Sequence, residues 1–236
     1  MNLVKAKWNE TDGKELTNYL VTLRVKDKEQ WSKNLLNTKM DVLAIPTPII
    51  KNIVKQISEG NYLSLLDLEV NTYFDYTSIN GSLITKINDF DLMKYYLDKY
   101  VAKIDNWASC DLLSFDVKGR EDKYYPLVLE YIKSDLPFVR RAGLSILFKF
   151  IDNDLYIKNI FDILNMFHEE TEYYVNMMIA WLFCECFIKR RDYTLEFLKS
   201  HKLNKFSINK GISKCRDSYR VSLEDKNLLL KYKVVK

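Results

Sequence analysis

An all-α fold is predicted for this chain of 236 residues. Glycine and proline number only six and four, too few to punctuate a many-stranded sheet. Apolar residues recur at helical spacing along most of the chain. The periodic segments are joined by short polar stretches, so that helices pair with their neighbours at intervals of roughly 35–45 residues.

The elements follow in order. Residues 10–36 place Leu16, Tyr19, Leu20, Leu23, Trp31 and Leu35 near helical spacing, and 37–41 breaks the pattern. Pro46 holds Ile45 out of the α region. Thr47 is positioned as an N-cap with Pro48 at the first helical position. A helix then runs through Ile49, Ile50, Ile53, Val54 and Ile57 and stops near Gly60. Leu63, Leu65, Leu66 and Leu68 open the next segment, and Asn80-Gly81 closes the one containing Tyr73, Phe74, Tyr76 and Ile79. Residues 82–87 read as a further helical turn, and 89–102 as an amphipathic helix through Phe90, Met93, Tyr96, Leu97 and Val101. Beyond the polar loop 118–122, helices are expected over 124–132, where Pro126 falls in the first turn, and from Pro137 to Phe148. Others are expected over 152–167, 171–188, 193–200 and from Ser207 to Arg216, and a last short one opens on the S-x-x-D capping pattern of Ser222 and Asp225. The stretches 89–116, 124–150, 154–188 and 193–216 are each a helix pair or close to one. Their lengths match HEAT-like α-α units, which stack to leave a concave surface. The expectation is a single domain over 1–236: an α-α superhelix of HEAT-like helical repeats forming a concave groove. A compact helical bundle is the alternative architecture.

Composition excludes several functions. No stretch approaches 18 apolar residues, so no membrane span is expected, and the N-terminus lacks the apolar region of a signal peptide. Cys184 and Cys186 lie too close together for a zinc knuckle, and with Cys110 and Cys215 they read as reduced thiols of a cytoplasmic protein. The only histidines, His168 and His201, do not suffice for a metal site or a catalytic triad. No metal and no cofactor is expected. The net charge is +4, but its distribution is uneven. Residues 201–236 carry the basic excess, which fits either an anionic partner, nucleic acid first among them, or a solvated lysine-rich end.

The most informative stretch is Ile104-Asp-Asn-Trp-Ala-Ser-Cys-Asp111. If it is helical, Trp107 and Asp111 share one face. An indole beside a carboxylate suits a cationic or cation-developing partner. The same pattern also fits a half-buried Trp beside an Asp that satisfies backbone donors.

Four stretches taken together resemble the AlkD-type DNA alkylation repair glycosylases, from about residue 31 onward. Leu43-Ala-Ile-Pro-Thr-Pro48 is similar to that family's Leu-Gly-Ile/Val-x-x-Pro element. Asp105-Asn-Trp-Ala-Ser-Cys-Asp111 is similar to its active-site Asn-Trp-x-x-x-Asp segment. Phe138 to Phe148 resembles its Trp-x-x-Arg-Ala-Ala-Ile-Leu element, and Tyr173 to Leu182 its Lys-Ala-Ile-Gly-Trp-x-Leu-Arg-Glu element. The resemblance implies aromatic walls from Trp107 and Trp181, with Asp111 as the carboxylate between them. It implies phosphate contacts from Arg141 and Arg140. It further implies excision of N3- or N7-alkylated purines from double-stranded DNA without flipping the base into a pocket, unlike the usual strategy of extrusion. The last helices flank the DNA in that family, which adds Lys210, Lys214, Arg216 and Arg220 as DNA-binding candidates, and Lys51 is kept from the Pro element. A monomer acting on alkylated duplex DNA is expected. The chain departs from the family pattern at Ala44, which replaces Gly, and at Ile49 and Ile50, which replace basic residues. Further departures are Ala108, Met177 or Met178, and Cys184-Glu185. Fewer cations imply weaker or differently oriented DNA binding. A non-catalytic DNA-binding module and a protein–protein scaffold are the alternative functions on the same fold.

Overall fold

The computed structural model describes residues 1–235. Among them are fourteen α-helices, one 3₁₀ turn and no strand, as the helical periodicity and sparse glycine predict. The chain divides into two compact units, Met1–Phe115 and a second from Asp116 onward.

The first unit holds α1 (Glu10–Thr22), α2 (Lys26–Leu36), α3 (Thr47–Ile57), α4 (Leu63–Leu66), α5 (Phe74–Ile84), α6 (Phe90–Val101) and α7 (Trp107–Asp111). Helix α5 is its centre and packs on α1, α3, α6 and α7. It buries Tyr76, Ile79, Leu83 and Ile84, each fully buried aliphatic side chain contributing about 1.5–3 kcal/mol. The periodic stretch 10–36 forms two helices, parted by a turn at 23–25.

The second unit holds α8 (Glu121–Tyr131), α9 (Pro137–Ile146), α10 (Ile157–Met166), α11 (Tyr173–Lys189), α12 (Arg191–Leu198), α13 (Lys205–Asp217) and α14 (Leu223–Leu230), with the 3₁₀ turn Leu147–Lys149 after α9. Helix α11 is its axis and packs on α9, α12 and α13. It is apolar around most of its circumference, burying Val175, Met178, Phe183 and Phe187, while Tyr173 and Trp181 are left exposed.

Four local expectations are corrected. Asn80-Gly81 does not end a helix, because α5 runs through it to Ile84. A Cβ on Gly81 would lie 2.6 Å from the Tyr100 hydroxyl and 2.7 Å from Leu112 Cδ1, so this glycine provides a close approach rather than a turn. Thr47 does not cap α3. Pro46 occupies the cap position, and no side chain bonds to the first turn. Pro126 lies inside α8 rather than in its first turn, because the helix starts at Glu121. Further on, α13 is capped by Asn204, whose side chain accepts from Ser207 N, so it begins before the predicted Ser207. At α14 the Ser222 side chain accepts from Asp225 N at 3.1 Å, as the capping pattern predicts.

Candidate active site and DNA-contact residues

Within the first unit, the 104–111 stretch folds as expected into a short helix. Asn106, fully buried, caps α7 by accepting from Ser109 N at 2.9 Å. From below, the Tyr100 hydroxyl donates to Ser109 O at 3.1 Å, and Cys110 is buried against the unit's core. A helix of five residues is too short to persist alone, so these contacts hold it. Trp107 and Asp111, its first and last residues, stand at i, i+4 on one face and are both half-buried. Trp107 Nε1 donates to Leu35 O at 3.2 Å, leaving the indole oriented rather than rotating.

The Pro element forms an irregular bend before α3. Ala44 sits there at φ 55°, in the left-handed region that costs an L-residue side chain about 1–2 kcal/mol. This explains why the family pattern has glycine at this position. The bend is held by Asp75 on α5, whose carboxylate accepts from Leu43 N at 2.7 Å and Ile45 N at 2.9 Å. Asp75 is 3% exposed, and burial pushes its carboxyl above the ordinary range while the backbone donors pull it back down. Sequence reasoning passed over Asp75; the available signal was a lone acid inside the apolar run Tyr73-Phe-Asp-Tyr76. Lys51 lies beyond the bend on α3, exposed.

The second unit places its candidates differently from one another. Trp181 is not a core residue, as its apolar neighbours would suggest. It is 39% exposed and packs one face on Phe148, with ring centroids 4.8 Å apart. Arg141 is 4% exposed, and its Nη1 donates to Tyr174 O at 2.5 Å, which ties α9 to α11 from the interior. Arg140 forks onto Glu170, Nε to Oε2 at 2.8 Å and Nη2 to Oε1 at 3.0 Å. Its remaining nitrogen donates to the Ser134 and Asp135 carbonyls. The two arginines expected to grip phosphate are thus engaged within the protein. Arg220 pairs through both outer nitrogens with Glu185, which raises its guanidinium's affinity for its proton. The remaining cations of this group, Lys210, Lys214 and Arg216, lie on α13, with Lys210 and Arg216 exposed and Lys214 half-exposed.

Among the described residues, no group of three or more His, Cys, Asp or Glu could hold a metal ion, and no helix is long and apolar enough to cross a membrane. All four cysteines are buried and free of disulfides.

Paired helices around a central helix, with an indole and a carboxylate on one short helix, define a helical-repeat type of protein with a polar–aromatic site. The sequence model of the family described as DNA alkylation repair enzyme matches residues 16–215. The chain belongs to that family and is a DNA alkylation repair protein. No curated protein matches the sequence.

Proposed function

We propose that this protein is a DNA glycosylase that excises cationic N3- or N7-alkylated purines from duplex DNA. The observation that carries the reading is the Trp107–Asp111 pair on α7, half-buried on one face and held by contacts from three sides. A purine alkylated at N3 or N7 carries positive charge and leaves readily. As the C1′–N bond breaks, its electron pair neutralises the base, and positive charge develops on the deoxyribose at C1′ and O4′. A fixed carboxylate there stabilises that charge where it forms. Water adds at C1′ and loses a proton, completing the hydrolysis. The Trp107 face attracts the cationic base and the developing sugar cation, an effect of about 0.5–2 kcal/mol depending on desolvation. Trp181, 39% exposed, supplies a further indole for contact with the DNA. Lys51, Lys210, Lys214 and Arg216 are the proposed phosphate contacts. Arg140, Arg141 and Arg220 serve them indirectly, by holding α9, α11 and the segment after α13 in place.

The test is release of 7-methylguanine and 3-methyladenine from methylated duplex DNA, measured by chromatography. Wild-type protein releases base, and Asp111→Asn and Trp107→Ala each abolish most of the release while remaining folded. Full activity in Asp111→Ala would overturn the mechanism. Salt-sensitive DNA binding without any base release would replace it with the non-catalytic reading.

A further inference from the structure

We propose that Asp105, together with Thr38, is a positioning residue for the Trp107 indole; the inference rests on the proposed role of Trp107 in base excision. Asp105 precedes the cap of α7 and reaches across to the loop that follows α2. Its Oδ1 accepts from Thr38 Oγ1 at 2.5 Å, and its Oδ2 accepts from Lys39 N at 2.7 Å. Thr38 is buried, and its oxygen also accepts from Met40 N at 3.1 Å, so the hydroxyl is fixed as both donor and acceptor. Hydrogen bonds to a carboxylate are roughly twice as strong as neutral ones.

Two residues further along, Trp107 donates to the carbonyl of Leu35 in the last turn of α2. A carbonyl at a helix C-terminus lacks an intrahelical partner, so the indole fills a real vacancy. Asn37, at φ 51°, turns the chain sharply from that last turn into Thr38. Residues 35–39 and 105–107 therefore form a closed clasp. The carboxylate holds the loop, the loop places the Leu35 carbonyl, and the carbonyl sets the rotation of the indole.

The clasp is separable from the folding of α7. Asn106, Tyr100 and the close approach at Gly81 hold the helix through bonds to its own backbone and packing on it. The Asn106 amide also donates to Asp105 Oδ1 at 3.3 Å, a bond that Thr38→Val leaves in place, and Asp105 itself is only half-buried. Removing its carboxylate frees residues 35–39 and the indole while the helix stays. A reacting group misplaced by about 1 Å can cost on the order of a hundredfold in rate, so an unlocked aromatic face lowers the rate of the chemical step more than DNA affinity.

The experiment labels the four tryptophans with fluorotryptophan and follows the resonance of Trp107, assigned with Trp107→Phe, beside those of Trp8, Trp31 and Trp181. In Asp105→Ala and in Thr38→Val, the Trp107 resonance shifts and broadens while Trp8 and Trp181 stay unchanged. Thr38→Ser, which keeps the hydroxyl, restores the wild-type spectrum. Single-turnover release of 7-methylguanine falls about tenfold or more in both variants, with affinity for methylated DNA held within about twofold. An unchanged Trp107 resonance in both variants overturns the clasp, as does an unchanged single-turnover rate in active protein. If wild-type protein releases no base, the proposed function fails, and the fluorine spectra alone still decide whether Asp105 positions the indole.

Discussion

Replacing Ala44 by glycine should stabilise the protein. Glycine usually weakens a fold because it gives the unfolded chain more freedom, at a cost of about 0.4–1 kcal/mol. Here the native backbone is left-handed, at φ 55°, and the methyl group of Ala44 opposes it by about 1–2 kcal/mol. Relief exceeds the entropic cost, and the net gain is about 0.5–1 kcal/mol. For a chain of this size, that raises the melting temperature by roughly 1–4 °C. The Asp75 carboxylate keeps the bend in place whichever residue stands at 44, because it binds the N–H groups on either side. Ala44→Val should therefore act oppositely, since a β-branched residue is a genuine outlier at positive φ. Asp75→Asn should cost more than either change, because one backbone N–H then faces an amide donor in a buried site, a loss of about 1–3 kcal/mol. The measurement is thermal and urea unfolding of the four proteins side by side. A melting temperature for Ala44→Gly below that of wild type would refute the reasoning that strain at Ala44 outweighs chain entropy.

Other outcomes follow from the same structure. Gly81→Ala should lower stability by about 1–3 kcal/mol, read by urea unfolding, because its Cβ would lie 2.6 Å from the Tyr100 hydroxyl beneath α7. Lys210→Gln, Lys214→Gln and Arg216→Gln should each flatten the log–log salt dependence of DNA binding by about 0.9. Arg140→Met should leave that slope alone and instead lower the melting temperature. It strands Glu170, which is only 7% exposed, without its cation, a loss of about 3 kcal/mol. Glu69 is held at about 2, against an ordinary value of 4.5, by hydrogen bonds from Lys103 and then Lys99. Its folded value is depressed, so its contribution is present above about 4.5 and is lost as the pH falls toward about 2. Glu69→Gln should thus shift the urea midpoint slightly at neutral pH and progressively less below pH 4.5, and the neutral-pH shift should shrink in high salt, because the pair is exposed.

The helices were largely legible because their signals are local. The cap at Ser222, the apolar stripe of Ile50, Ile53, Val54 and Ile57 on α3, and the circumferentially apolar α11 can be read from neighbours within a few residues. Errors at Thr47, Pro126 and Ser207 were shifts of a helix start by a few residues, whereas at one place a distant residue decided the outcome. Asn80-Gly81 carries a turn signature, yet Tyr100 and Leu112 pack against that glycine and the helix continues. The i, i+4 relation of Trp107 and Asp111 was legible for the same reason as the helices, and the structure bears out the helix that it required.

The sequence by itself determined the all-helical class, the family and the shared face of Trp107 and Asp111, because backbone periodicity, caps and short motifs act along the chain. Only the tertiary structure decided which charges are available and what orients the site. Arg140 finds Glu170 thirty residues away, and Asp105 finds Thr38 at a separation of sixty-seven. No periodicity encodes such pairings. They arise when packing removes a charged or polar group from water, and the desolvation cost then requires a partner wherever the fold provides one.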